Sequence, residues 1–223
     1  KLCCQRSRLF STGDPLAAYP LCVFASDTHL RPCAWASRPR LRDDAIHAFQ
    51  QIVRYTIQQR IPVLALAGDI FDIQGVDNND KAVILKQVRQ ELDKLAKAKV
   101  RVLFVQGQHD LNDPPWMLAL DRRAEHVHGI TVPLTVETEG DQAVWLAGLD
   151  YTTPDKLPDM LNGIESQATV LMCHQVWGEF MGSVTSPDGN LKDIPQVPIV
   201  VTGDFHQRHT LQIEATPADS EPF

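Results

Sequence analysis

Aspartate and histidine stand at the ends of apolar runs throughout this sequence. Pro62-Val-Leu-Ala-Leu-Ala-Gly68 leads into Asp69, with Asp72 close behind. Leu21-Cys-Val-Phe-Ala-Ser26 leads into Asp27-Thr-His29, and Val100-Arg-Val-Leu-Phe-Val105 into Gly107-Gln108-His109-Asp110. Ala168-Thr-Val-Leu-Met-Cys173 stops at His174, and Pro198-Ile-Val-Val-Thr202 at Gly203-Asp204-Phe205-His206. Four of the eight histidines, His29, His109, His174 and His206, therefore fall at such ends. One Gly-Asp pair is most often only a turn. Five runs with the same ending point to one shared site. Carboxylate, imidazole and carboxamide groups converging from separate strand ends suit two divalent cations. Such a pair polarises a phosphoryl group and activates water at neutral pH. A histidine left over from ligation can protonate the leaving oxygen.

The elements that must deliver these groups are short and buried. Apolar runs of this length, bounded by Pro and Gly, read as central strands. Open α/β sheets place ligands at the carboxyl ends of such strands. Asp43 or Asp44 caps an expected helix to about Arg60, with Ile46, Phe49, Val53 and Ile57 on one face and His47 outside it. Asp77-Asn-Asn-Asp80 caps a second helix whose inward face is read as Leu85, Val88, Leu92 and Leu95. That acidic run lacks the glycine and distal glutamate of a calcium loop. Strands are expected over 131–136, 143–148, 198–202 and about 209–214, and a short helix over Lys156–Leu161. Residues 183–197 read as a surface loop, and His126 and His128 as surface loop histidines. The fold class is α/β: a βαβ half followed by a more antiparallel half.

Composition excludes several classes. The net charge of −7 means that any nucleic-acid contact must come from a local basic patch. Arg31, Trp35, Arg38, Arg40 and Arg42 could supply one. They lie in one loop beside the first Asp-x-His, where arginines can meet a phosphate backbone and a tryptophan can stack a base. No apolar stretch is long enough to span a bilayer. Five scattered cysteines form no zinc spacing; Cys22, Cys33 and Cys173 read as buried free thiols, which favours a reducing cytoplasm. Residues 1–18 lack periodicity and are expected to be a flexible tail, leaving 19–223 as one domain, open to truncation at its C-terminal end.

The order Asp-x-His, Gly-Asp-x-x-Asp, Gly-x-His-Asp, His, Gly-x-x-His resembles the calcineurin-like metallophosphoesterase superfamily, over about residues 20–214. That resemblance implies a layered α/β/β/α sandwich with mixed sheets. It also implies that Asp27, His29, Asp69 and His206 hold one metal, with Asp69 bridging. Gln108, His174 and Asp204 would complete the second, His109 would be catalytic, and Asp72 and Asp110 would orient ligands from behind. Ser26-Asp-Thr-His-Leu30 and Ala67-Gly-Asp-Ile-Phe-Asp72 further resemble the SbcD-type DNA repair nucleases. Those are manganese-dependent exo- and endonucleases that work with a coiled-coil ATPase of the SbcC type. Two positions depart from the family pattern: Gln108 stands where Asn is usual, and Asp204 where the first of two histidines is usual. An extra carboxylate shifts preference towards manganese or magnesium, with iron or zinc as the other candidates.

Three functions fit these residues: a DNA nuclease, a phosphatase or cyclic-nucleotide phosphodiesterase for small substrates, and a catalytically impaired binding module on the same fold. The arginine-rich loop favours the first.

Overall fold

The computed structural model describes residues 20–31, 43–111, 115–120, 123–134, 143–181, 186–195 and 197–206. Two four-stranded sheets form its centre. The first runs in the order β1 (Cys22–Ala25), β2 (Val63–Ala67), β3 (Arg101–Val105) and β4 (Glu125–His126), all parallel. The second contains β5 (Thr131–Pro133), β6 (Trp145–Leu149), β7 (Val170–His174) and β8 (Ile199–Gly203). It is mixed, because β5 is antiparallel to β6 while β6, β7 and β8 are parallel. Helices α1 (Asp44–Gln58) and α2 (Asn78–Lys97) make the crossovers that parallel pairing demands.

Alternation along β2 explains the layering. Val63, Ala65 and Ala67 pack with Leu146, Val170 and Met172 of the second sheet. Leu64 and Leu66 face the other way, onto Ile46, Phe49 and Val53 of α1 and Val88, Leu92 and Leu95 of α2. All five β2 residues are therefore buried, as a strand covered on both faces requires. Each buried side chain of the Phe49 or Leu92 kind contributes about 1.5–3 kcal/mol. On the far side, Leu171 and Cys173 pack with Leu157 and Leu161 and with Trp177, completing the α/β/β/α order. Leu157 and Leu161 belong to α4 (Leu157–Asn162), and the four-residue α3 (Trp116–Ala119) packs Met117 onto the first helical layer.

Several expectations shift in detail. On α2 Ile84 is fully buried with Val88, Leu92 and Leu95, and Leu85 packs against the same core half-buried. The α2 N-cap is Asp77, whose carboxylate accepts from the Asn79 and Asp80 amides. The 183–197 segment is tied down where described: Asp188 Oδ2 accepts from Val176 N at 2.8 Å, and Glu179 accepts from Leu191 N. Its Gly189 bridges to Trp177, a fully buried core residue. Cys173 is buried and Cys22 half-buried, and burial pushes both thiols up to about 12. Cys33, Trp35, Arg38, Arg40, Arg42, the expected tail and the strand at 209–214 lie outside the described residues. Among the described residues no helix is long and apolar enough to cross a membrane.

Candidate metal centre

Because β1, β2, β3, β7 and β8 share one direction within their sheets, their carboxyl ends gather Asp27, Asp69, Gln108, His174 and His206 at one edge. The chain turns sharply there. Asp27, His29, Asp69 and Asp204 all have positive φ, at 53°, 42°, 48° and 79°. Left-handed backbone at non-glycine residues costs of order 1 kcal/mol or more each and persists where the surroundings enforce it. Hydrogen bonds enforce it here: Asp27 N to Gly68 O at 3.1 Å and His29 N to Asp69 O at 3.0 Å. Gly68, at φ 82°, also lies against the His174 imidazole, into which any Cβ would collide.

Asp69 is the hub. Its side chain is 1% exposed, and Oδ1 accepts from the His109 amide at 2.9 Å. Oδ2 faces three imidazole Nε2 atoms: His174 at 3.4 Å, His29 at 3.8 Å and His109 at 3.9 Å. Burial pushes the Asp69 carboxyl up, but His174, His109 and the His109 amide outweigh it and hold the group below the usual range. His29 is held below its ordinary value by burial first and by the neighbouring His109 and His206, with Asp69 and Asp27 opposing. Its Nε2 lies 3.2 Å from His206 Nε2, which in turn lies 3.4 Å from Asp27 Oδ1.

Three groups of donors are close enough to hold an ion: Asp27, His29 and His206; Asp27, Asp69 and His174; and His29, Asp72 and His109. Gln108 adds a carboxamide beside them. Its Nε2 donates to Asp204 Oδ1 at 2.7 Å, while its Oε1 is buried with no hydrogen-bond partner. Asp204 stands outside the three groups; it orients Gln108, and its amide donates to Asp27 Oδ1 at 3.0 Å.

The backing groups are equally defined. Asp110 accepts from the Ile70, Phe71 and Gly107 amides at 2.9–3.0 Å and so knits the β2 and β3 exits together. Burial pushes its carboxyl up to about 6 against the pull of those amides. Asp72 Oδ1 lies 3.7 Å from His109 Nδ1, and Asp72 Oδ2 accepts from Arg31 Nη1 at 3.0 Å.

The donor set fits cations rather than self-satisfied hydrogen bonding. His174 Nδ1 donates to Ala67 O at 2.7 Å, which leaves Nε2 buried and without an aligned partner. A buried acceptor without a partner, as Gln108 Oε1 is, is costly unless something else meets it. Gly107 keeps the space open, because a Cβ there would collide with Asp69 Oδ1 and come within 2.7 Å of His174 Nε2.

Residues 22–208 match the calcineurin-like phosphoesterase family. The chain belongs to that family. Its members are metal-dependent phosphoester hydrolases that hold two divalent ions. Relatives include the DNA double-strand break repair protein Mre11 of Sulfurisphaera tokodaii, 21% identical over 85% of this chain and 49% of that protein. Mre11 of Sulfolobus acidocaldarius is also 21% identical, over 82% of this chain and 48% of its own. The chain thus spans about half the length of the curated relatives it matches. A solved crystal structure shares the fold with a TM-score of 0.51 at 11% identity, covering 85% of this chain and 86% of that one.

One consequence for this phosphoesterase concerns pH. Burial alone would lower the His174 pKa, but Asp69, the Ala67 carbonyl and Asp27 outweigh it and push the imidazole from 6.5 up to about 9. A pKa raised on folding stabilises the protein fully below the unfolded value and ceases to do so above the folded one. Stripped of ions, the protein is therefore expected to lose up to about 3 kcal/mol of unfolding free energy as pH rises from 6.5 to about 9. Urea unfolding after chelation measures this, and saturating manganese should flatten the slope by taking the place of the proton. A flat profile in the chelated protein rules out the Asp69–His174 pair as its source.

Asp150 has no place among the residues expected from the sequence. It ends the apolar run of β6 just as Asp27 and Asp69 end theirs, and that position was the available signal. His126 is not a loop-surface residue, since it lies half-buried on β4 against Asp150, whereas His128 is exposed in the connection after β4, as expected, and accepts from Asp150 N.

Proposed function

We propose that this phosphoesterase is a nuclease that hydrolyses DNA phosphodiester bonds with two manganese ions. The observation that carries the reading is Asp69 Oδ2, a buried carboxylate oxygen facing three imidazole Nε2 atoms at 3.4–3.9 Å. Asp27, His29 and His206 would hold one ion and His174 and Gln108 Oε1 the other, with Asp69 placed to be shared between them. In this reading Asp204 fixes the Gln108 amide, and mixed imidazole and carboxylate donors suit manganese, with magnesium, iron and zinc as competitors. When bound, the ions polarise the phosphoryl group and activate water near neutral pH. His109, 41% exposed, turns Nδ1 to Asp72 and presents Nε2 to the cleft, where it donates a proton to the leaving oxygen. Arg31, anchored on Asp72, places a cation beside that histidine for a phosphate of the strand.

The likeness to two Mre11 proteins supports DNA as substrate. Together with the SbcD-type motifs, it makes a coiled-coil ATPase of the SbcC type the proposed partner. The test is a manganese-dependent digestion panel of duplex DNA, single-stranded DNA, RNA and a p-nitrophenyl phosphodiester. Cleavage of DNA above the small diester is the expected result. Turnover of the small diester alone would replace the nuclease by a small-substrate phosphodiesterase, and no turnover with any metal would make the chain a binding module.

A further inference from the structure

Among the described residues no strand ladder joins the two sheets; beside apolar packing they are linked by the isolated bridge of His128 with Gly148 and by single polar contacts such as His174 Nδ1 to Ala67 O, neither of which ties the β3 exit to the β7 exit. Yet the donors come from both: Gln108 and His109 follow β3 in the first sheet, and His174 ends β7 in the second. Packing tolerates small slides, whereas a metal or catalytic constellation needs placement within about 0.5 Å. A polar connection between the exits would resolve this, and Asp150 provides one. Its Oδ1 accepts from Gln106 N at 2.7 Å, two residues before Gln108. Tyr151 N donates back to Gln106 O at 2.7 Å. Gln175 Nε2, next to His174, donates to Asp150 O at 3.4 Å. His126 Nε2 lies 2.9 Å from both Asp150 carboxylate oxygens, and Asp150 N donates to His128 Nδ1 at 3.1 Å. His126 itself is stacked on the buried Phe104 ring, 4.9 Å between centroids. Asp150 is buried, so this orientation is not shared with solvent.

We propose that Asp150, oriented by His126, is a positioning residue that fixes the β3 exit against the β7 exit and so sets the grip of Gln108 and His174 on their ion. The cluster is not itself an ion site, since its donors do not form one of the groups close enough to share a cation. The proposal rests on the ligand assignment given above. It does not depend on the substrate.

Manganese titration of the whole chain, followed by calorimetry and electron paramagnetic resonance, reads it directly. Asp150→Ala is expected to weaken the ion held through His174 by about ten- to a hundredfold while the ion at Asp27, His29 and His206 binds as before. The spectrum should change from a coupled pair to an isolated manganese. Asp150→Asn, which keeps an acceptor for Gln106 N, should restore most of the loss. Wild-type binding of both ions by folded Asp150→Ala overturns the proposal, and so does an equal weakening of both, which would mark a general structural role. Should Asp150→Ala fail to fold, His126→Phe decides, since it keeps the stack on Phe104 and releases the carboxylate. About tenfold weaker binding of the same ion supports the clamp, and unchanged binding refutes it. Because the readout is ion binding, a failure to cleave DNA would remove the nuclease reading and leave this test standing.

Discussion

Asp69→Asn is expected to abolish activity, by about a thousandfold or more, and to lower the bound metal from two ions to at most one. The size of the effect follows from geometry. Asp69 Oδ2 is the atom that His174, His29 and His109 face, at 3.4, 3.8 and 3.9 Å. Asparagine keeps the Oδ1 acceptor for the His109 amide, so the β3 exit should hold its course. What it loses is the anionic charge, and an amide N–H turned towards imidazole nitrogens repels cations instead of joining them. A loss of about 4 kcal/mol in transition-state stabilisation corresponds to roughly a thousandfold. Metal analysis after dialysis, run beside activity, separates a lost ion from a lost reaction. Asp27→Asn should affect mainly one ion, because Asp27 Oδ1 sits nearest His206 at 3.4 Å. Full activity with two ions in Asp69→Asn would refute the bridging role.

His109→Ala should behave differently: turnover falls by about a hundred- to ten-thousandfold while KM and ion content stay close to wild type. Two roles compete for this residue. It belongs to a donor group with His29 and Asp72, which allows ligation. It is also the most exposed of the three imidazoles facing Asp69, and Nδ1 is directed to Asp72, which suits a proton donor in the cleft. Ion content discriminates between them. If His109→Ala loses metal along with turnover, the histidine is a ligand and the proton must come from elsewhere. Asp72→Asn, which loosens His109 and releases Arg31, should give a smaller loss of turnover with both ions retained.

Much of the site is legible in the sequence, for a local reason. An apolar run ending in Asp or His is a covalent fact, and a buried strand must deliver the residue that follows it at its own carboxyl end. Ile46, Phe49 and Val53 on α1 can be read in the same way, because helical periodicity is local. At its finest grain periodicity finds Leu85, which packs on the core, but misses that its neighbour Ile84 is the more deeply buried, because neighbours of similar hydropathy leave the facing angle to the packing partner. Composition reads the described part of 183–197 correctly as a surface loop, but does not show that Asp188 and Gly189 tie it to Val176 and the buried Trp177.

Residue order alone thus settles which side-chain types end which strands, and through their succession the family and its metal chemistry. Which atoms meet is settled by packing. His29 and His206 are 177 positions apart, yet their Nε2 atoms stand 3.2 Å from each other. Gln108 turns its amide to Asp204, 96 positions away, and frees its oxygen. Asp150 is one more carboxylate along the chain, and only the folded core closes His126 and Gln106 on it. Chain neighbours are constrained by covalent geometry, but contacts between two sheets depend on how their faces pack, and that is a property of the whole core.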